Sequence, residues 1–498
     1  MQPSLNLELA PAGGSVLIQD MRSLLKLAAP VIGITLSRML MGFADFYQVS
    51  FLGTSATAAI SPATMFVFVG LCLGMGAVTS VQTFTAQCIG RGRPLEASAY
   101  AWQSIYIAIA SLALALPMSY YSEQAWAWID SPPDVRALQV AYCRIAIWSL
   151  PFGVACAGLE AFFNGIHKSG VALRAIILAL VVNVIGNYAL IFGKFGLPQM
   201  GIEGAAVATV IGWLVRVGVL MFVFLSHEFR ERYQTHRSWR RDWTKLRSII
   251  VLGGPTAVQW LLDVGAWFLF LAIIIQGFST ETLAATNTGI QFMHVAFMPA
   301  IGLGIALCSV VGQLIGEGRH EVAVRKTRAA LLMTVTYMGF ISLIFLLFPK
   351  ALMSLVSKDP AVIAAGVGVL LWASLFQVSD AFCITYINAL RGAGDTRWPA
   401  VVLVCLCWSV FIGGGILMAR FAPEWGHHGP WMMCTVYISL LGTVLWRRFA
   451  SGAWRSINLF KAEETVVIAD REVTLEPEAI VEQVVETAEA AADAGLPI

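Results

Sequence analysis

The sequence predicts an all-α integral membrane protein: twelve transmembrane helices in two six-helix lobes related by a pseudo-two-fold axis along the membrane normal. Three observations lead there. The 498 residues are 58% hydrophobic and only 12% charged, about half the charged fraction of an ordinary soluble domain. The apolar residues fall into twelve runs long enough to cross a bilayer. The second half of the chain repeats the first at a period of about 225 residues.

A helix that crosses the hydrocarbon core needs about 20 apolar residues. Such runs occur at 24–50, 56–86, 95–120, 139–165, 170–193 and 203–226, and again at 248–277, 282–315, 322–348, 362–390, 397–420 and 427–447. Runs longer than about 25 residues imply tilt or extension beyond the lipid rather than extra crossings. Pro30, Pro151, Pro255 and Pro299 lie inside spans, where they are expected to kink the helix while neighbours take up the freed carbonyls. The nine Cys all sit in apolar segments and read as small hydrophobes; Cys405 and Cys407 lack zinc-site spacing. Glu8 and Asp20, followed by a long apolar run, do not read as a cleavable signal peptide.

Lys and Arg set the orientation. With both termini placed in the cytoplasm, cytoplasmic segments hold about 23 of the 32 basic residues. The outer loops keep Arg136, Lys194, Lys350, Lys358 and Arg420. The expected division is a cytoplasmic segment 1–20, an N-lobe 21–226, a basic linker 227–247, a C-lobe 248–450 and a tail 451–498. The linker cluster, Arg230 to Arg247, reads as a topology determinant rather than a nucleic-acid patch. Residues 462–498 are acidic and read as a solvated tail, with a short helix near 476–494 as the alternative.

The repeat defines the architecture. LAAP at 27–30 returns as LGGP at 252–255, and Gly76, Gln87, Gly90, Gly92, Arg93 and Ala97 match Gly302, Gln313, Gly316, Gly318, Arg319 and Ala323. FNGIHKSG at 163–170 corresponds loosely to LRGAGDTR at 390–397. Six spans per repeat is an even number, so both halves share one orientation, and two like-oriented bundles around a central cleft suit alternating access.

Polar groups inside the spans nominate the site. An Asp at a helix centre costs about 2.5–3.5 kcal/mol on insertion, so Asp45, Glu160, Asp263 and Asp380 are expected to face a wet cleft or a partner. Counting at about 1.5 Å per residue puts Asp45, Asn183, Asn187 and Thr209 in one layer, about 8–15 Å below the outer surface. These oxygen-bearing groups suit a hard cation or a proton, although interhelical hydrogen bonding serves equally well for the two Asn. Asp263 and Asp380 fall near the midplane. Glu160 lies near a cytoplasmic end and is expected to reach water, Arg38, Arg144 and Arg216 to form structural ion pairs, and His294 to be packed or hydrogen-bonded. Arg38 stands where the other repeat has Asp263.

No GxxxxGK[ST], HExxH, GxSxG or CxxC motif occurs. Gly74–Met75–Gly76 and Gly302–Leu303–Gly304 read as close-packing sites. The chain is therefore expected to be no enzyme and to need no cofactor. Its energy would come from an ion gradient, each cation crossing 100 mV supplying about 2.3 kcal/mol.

Over about residues 20–450 the chain resembles the MATE (multidrug and toxic compound extrusion) family, in its NorM-like bacterial branch. The likeness is carried by Pro30, MGFADFYQVSFLG (41–53), QCIGRGRP (87–94), VNVIGNYALIFGKFGLPQMGIEGAAVAT (182–209), GQLIGEGR (312–319) and FQVSDAFCITYINALRGAGDTRWP (376–399). The resemblance implies a V-shaped pair of lobes in a bacterial inner membrane, exporting small organic, often cationic compounds in exchange for Na⁺ or H⁺. It places the cation-coupling groups on Asp45, Asn183, Asn187, Thr209, Asp263 and Asp380, with Na⁺ at Asp263 and Asp380 one option. Asp45, Asp263, Phe376 and Asp380 become substrate-cleft candidates. Two positions depart from the branch: Asp263 is usually Glu, and Phe376 is often Tyr. The expected partners are small molecules and lipid, with no nucleic acid, and the expected state is a monomer. A lipid-linked oligosaccharide flippase is the alternative within transport, set against by the acids of the cleft. A non-transporting receptor or assembly protein is the alternative outside it.

Overall fold

The computed structural model describes residues 14–128 and 131–460. The proposed tail helix at 476–494 and most of the first twenty residues lie outside the described residues. Among the described residues, twelve helical spans are long and apolar enough to cross a membrane. They are α1 (Val16–Ser50), α2 (Thr54–Gly90), α3 (Pro94–Tyr120), α4 (Pro133–Gly165), α5 (Ser169–Phe192), α6 (Ile202–Phe224), α7 (Trp243–Ile275), α8 (Thr280–Gly316), α9 (His320–Leu347), α10 (Pro360–Ala393), α11 (Arg397–Phe421) and α12 (His428–Ala450).

Every expected run is thus a span, but most extend past the apolar core. Hydropathy marks where lipid begins, whereas a helix ends where its caps are. The Asp242 side chain accepts from the N–H groups of Thr244 and Lys245 and starts α7 five residues before the apolar run. Pro30, Pro255 and Pro299 lie within continuous helix. Pro151 instead opens the helix that follows a 3₁₀ turn at Ile147–Ser149 and so sits where a missing N–H costs nothing. Eight of the nine Cys are buried; Cys405 is exposed.

The two lobes meet along seams of small residues. A Cβ added at Gly302 of α8 would lie 2.8 Å from Ile32 Cα of α1, and one at Gly76 of α2 would lie 2.5 Å from Ala257 Cα of α7. Ile32 and Ala257, like Gly302 and Gly76, are equivalent residues of the repeat, so the two contacts are images of each other. Gly90 packs on the Gln313 carbonyl and Gly316 on the Gln87 carbonyl, again reciprocally. That exchange of partners is what a two-fold relation requires.

Polar groups close the same seams. The Gln82 side-chain amide donates to the Ile305 carbonyl (2.7 Å), Thr83 to Arg391 O (2.9 Å), Gln87 to Gly392 O (3.0 Å), Ser80 to Ile249 O (3.1 Å) and Thr35 to Met298 O (3.2 Å). His167 meets Gln313 at 2.5 Å. Asp20, 2% exposed, is paired with Arg325 (2.7 Å) and Lys326 (2.8 Å). These links all lie between the end carrying the basic loops and the middle of the spans. One turn beyond Thr35 and Met298, Arg38 and Val295 are both about half exposed, so the α1–α8 seam opens there.

Gly253 of α7 packs directly on the Ala77 carbonyl, leaving no room for a methyl group. Gly253→Ala is expected to weaken the closed seam by about 1–3 kcal/mol, the usual overpacking range. A lowered melting temperature of the purified chain checks this. An unchanged value would mean that the lobes can part there without loss.

Residues 227–247 lie against α3. They include a short helix, His227–Tyr233. Ser98 donates to Tyr233 O (2.8 Å), Trp102 Nε1 to Thr235 O (2.8 Å) and Gln103 Nε2 to Arg240 O (3.1 Å), and Tyr106 donates to Trp239 O. The connection is held by one lobe rather than slung between two.

Candidate functional site

Asp45 projects from α1 into the N-lobe, where its Oδ1 accepts a 2.6 Å hydrogen bond from Asn187 Nδ2 of α5. Asn183, one turn earlier on α5, meets the same amide at 3.4 Å. Both Asn are fully buried and Asp45 is half-buried. Asn183 and Thr209 also act on the Asp45 carboxyl, while the Thr209 hydroxyl donates to Ala205 O at 2.9 Å. The four residues assigned to one layer by helix rise therefore converge.

The cluster is only partly satisfied. Asn187 Oδ1, Asn183 Nδ2 and Gln48 Oε1 are buried without a hydrogen-bond partner among the described residues. Asn187 Oδ1 and Gln48 Oε1 are open acceptors, which a proton donor or small cation would complete, whereas Asn183 Nδ2 is an open donor turned to the carboxylate side of the cluster. One member escaped the sequence: Tyr142 of α4, 3% exposed, whose phenol interacts with Thr64 and Thr209 and feels the Asp45 charge. A tyrosine in an apolar span reads as ordinary packing, so spacing carried no signal for it.

In the C-lobe, Asp263 of α7 and Asp380 of α10 are both half-buried, and the Asp263 charge acts on Asp380. Their surroundings are unlike those of Asp45. Cys407, Cys434 and Tyr437 feel Asp263, and Cys383 and Cys434 feel Asp380. Gln377, one turn before Asp380 and fully buried, has both side-chain polar atoms without a partner among the described residues. Neither Gln377 nor Tyr437 was nominated by the sequence. Asp263 also acts on Cys72 of α2, so its charge is felt in the N-lobe. Phe376 is 4% exposed and so lies inside the lobe rather than on an open wall.

The remaining charges sort into pairs. Glu160 of α4 receives Arg38 of α1 at 3.2 Å and pairs with Arg216 of α6. Arg144 meets Glu123 at 2.8 Å. The ion pairs expected for the three Arg are present, but Glu160 does not reach water: it is 6% exposed, because α1 and α6 bring their guanidinium groups over it. His294 likewise departs from expectation. It is exposed, with an edge contact to Phe297 at 5.4 Å between centroids, since it lies one turn beyond Met298, where the seam has opened. The Gly-rich triplets pack as expected: Gly74 on Val154, Gly76 on Ala257, Gly302 on Ile32 and Gly304 on Asn388.

Twelve spans, a two-fold seam and acids in each lobe describe a cleft transporter, and family comparison decides which one. The MatE family model matches twice, over residues 30–189 and 255–413, more than half the chain and in register with the internal repeat. The chain belongs to the MatE family. Membership makes it a multi-pass membrane transporter rather than an enzyme.

Among curated relatives of this MatE chain is the "Probable multidrug resistance protein NorM" of Agrobacterium fabrum, 29% identical over 463 residues, covering 90% of this chain and 97% of the relative. The protein of the same name from Rhizobium meliloti is 30% identical, covering 86% and 93%. The "Multidrug resistance protein MdtK" of Pectobacterium atrosepticum is 25% identical, covering 83% and 92%. Similar solved structures include the outward-facing conformation of a multidrug resistance MATE family transporter of the MOP superfamily (TM-score 0.78, 19% identity, 90% of this chain and 100% of that one). The eukaryotic MATE transporter AtDTX14 is another (TM-score 0.79, 18% identity, 90% and 99%). At those identities the likeness to the structures is one of fold, and it is the two-lobed fold described above.

Proposed function

We propose that this MatE chain exports small organic, often cationic compounds across a bacterial inner membrane, by alternating access of its two lobes and in exchange for protons. The termini and the 227–247 connection face the cytoplasm in this reading, so the closed seam is the cytoplasmic gate and the cleft is open outward. Asp45, with Asn183, Asn187 and Thr209, and the Asp263–Asp380 pair are the coupling groups, and Asp263 and Asp380 also meet the cationic end of the substrate. Binding a proton helps only if it favours one facing state, which groups beside a moving cleft can do.

The observation that carries this reading is the position of the three acids. Each is a half-buried carboxylate within a membrane span, an expense that wetting or neutralisation must offset. Protons are favoured over Na⁺ by the company kept in the C-lobe. Cys383 feels the charge of Asp380, Cys407 that of Asp263 and Cys434 both, so three thiols lie within electrostatic reach of the pair, and thiols are poorer ligands for a hard cation than the amides beside Asp45. The chain is read as working as a monomer, since one chain supplies both walls of the cleft.

Everted vesicles carrying the protein test it. An imposed proton gradient is expected to drive accumulation of a fluorescent organic cation, whereas a Na⁺ gradient at matched pH is not. Accumulation on Na⁺ alone would overturn the assignment of the ion, and accumulation under neither gradient would overturn the antiport reading itself.

A further inference from the structure

The repeat is symmetric at its seams but not in charge just beyond them. Six residues past Ile32 stands Arg38; six residues past the equivalent Ala257 stands Asp263. Both therefore lie about 9 Å along their helices from equivalent glycine contacts, on the side away from the closed gate. One wall of the cleft presents a guanidinium where the other presents a carboxylate.

The positive wall is not neutralised. Arg38 and Arg216 share the single carboxylate of Glu160, so two cations and one anion leave one positive charge over. That surplus is on Arg38, because the Arg216 side chain is 1% exposed and the Arg38 side chain 48%. Only one edge of the Arg38 guanidinium is used: Nη2 donates to Glu160. Its Nη1 and Nε make no hydrogen bond among the described residues. Among these residues too, Glu160 is the one carboxylate that acts on Arg38, with Arg216 and Cys156 its other charged or titratable neighbours.

A guanidinium with a free edge, held in place by a buried partner and lying one turn above a closed seam, has the shape of a two-pronged carboxylate receptor. We propose that Arg38 anchors a carboxylate on the transported molecule. The cleft then takes zwitterionic amphiphiles, with the carboxylate turned to the N-lobe and the amine turned to Asp263 and Asp380. This rests on the reading of the cleft as the substrate site and adds to it the residue that holds and orients the molecule. It also gives Arg38 a role besides its ion pair: Glu160 and Arg216 fix the guanidinium, and the ligand completes it.

The test uses two dyes that differ by one methyl group, a rhodamine with a free benzoate and the methyl ester of that dye. Binding of each to the purified full-length chain is followed by fluorescence anisotropy. The free acid is expected to bind at least about tenfold more tightly than the ester, which is about 1.4 kcal/mol. In Arg38→Gln that preference is expected to fall to near one, and in Arg38→Lys, which keeps the charge but loses the planar fork, to a few-fold. Equal binding of acid and ester by the unaltered protein overturns the proposal without any variant, should Arg38→Gln fail to fold. A preference that survives in Arg38→Gln overturns it as well. If neither dye binds, the cleft reading fails along with the proposal, an outcome distinct from equal binding.

Discussion

Asp380→Asn is expected to abolish gradient-driven efflux while the protein accumulates to its ordinary level. The substitution keeps the shape of the side chain and removes its capacity to carry a proton. An amide in a half-buried site costs less than a carboxylate, so folding is not expected to suffer. What is lost is the repulsion between Asp380 and Asp263, and with it the reason for one facing state to prefer the protonated pair. Dye efflux from an efflux-deficient host, scored beside membrane protein level, checks this. Undiminished dye efflux in the variant would remove Asp380 from coupling and leave Asp45 and Asp263 to carry it.

Glu160→Gln is expected to act on the fold instead. Glu160, 6% exposed, is the common partner of Arg38 and Arg216, and Arg216 is 1% exposed. Removing one member of a buried pair leaves an uncompensated charge, at a cost of about 3–5 kcal/mol. The expected result is a large loss of folded protein, read as a fall in melting temperature and in yield after membrane extraction. A double variant, Glu160→Gln with Arg216→Met, is expected to recover part of that stability, because it removes the stranded cation as well. Wild-type stability in Glu160→Gln alone would mean that water or lipid headgroups reach Arg216.

These two residues also mark how far the sequence could be read. Helix rise along the chain locates depth well: Asp45, Asn187, Asn183 and Thr209 were assigned to one layer by counting, and Asn187 does donate to Asp45 at 2.6 Å. Rise says nothing about which way a helix is turned against its neighbours. Glu160 was therefore expected near water and is enclosed, while His294, expected to be packed, is exposed. The architecture was legible because lipid enforces long apolar runs and a duplication repeats its glycines. Tyr142, Tyr437 and Gln377 were not legible, because one polar atom on a mostly apolar side chain, or one amide in a long span, breaks no pattern that spacing can detect. Phe376 was a candidate for the cleft wall through resemblance alone, and its 4% exposure puts its ring in the lobe interior.

The reciprocal glycines at the seam bear on ancestry. Gly90 on Gln313 and Gly316 on Gln87 is the arrangement by which two identical subunits face each other across a dyad. In such a homodimer every side chain near the axis confronts its own copy, and a guanidinium at position 38 would have met a second guanidinium. Two halves of one chain are free of that mirror, so one carries a cation at this position and the other an anion. The polarity across the cleft is thus open only to two halves that differ in sequence.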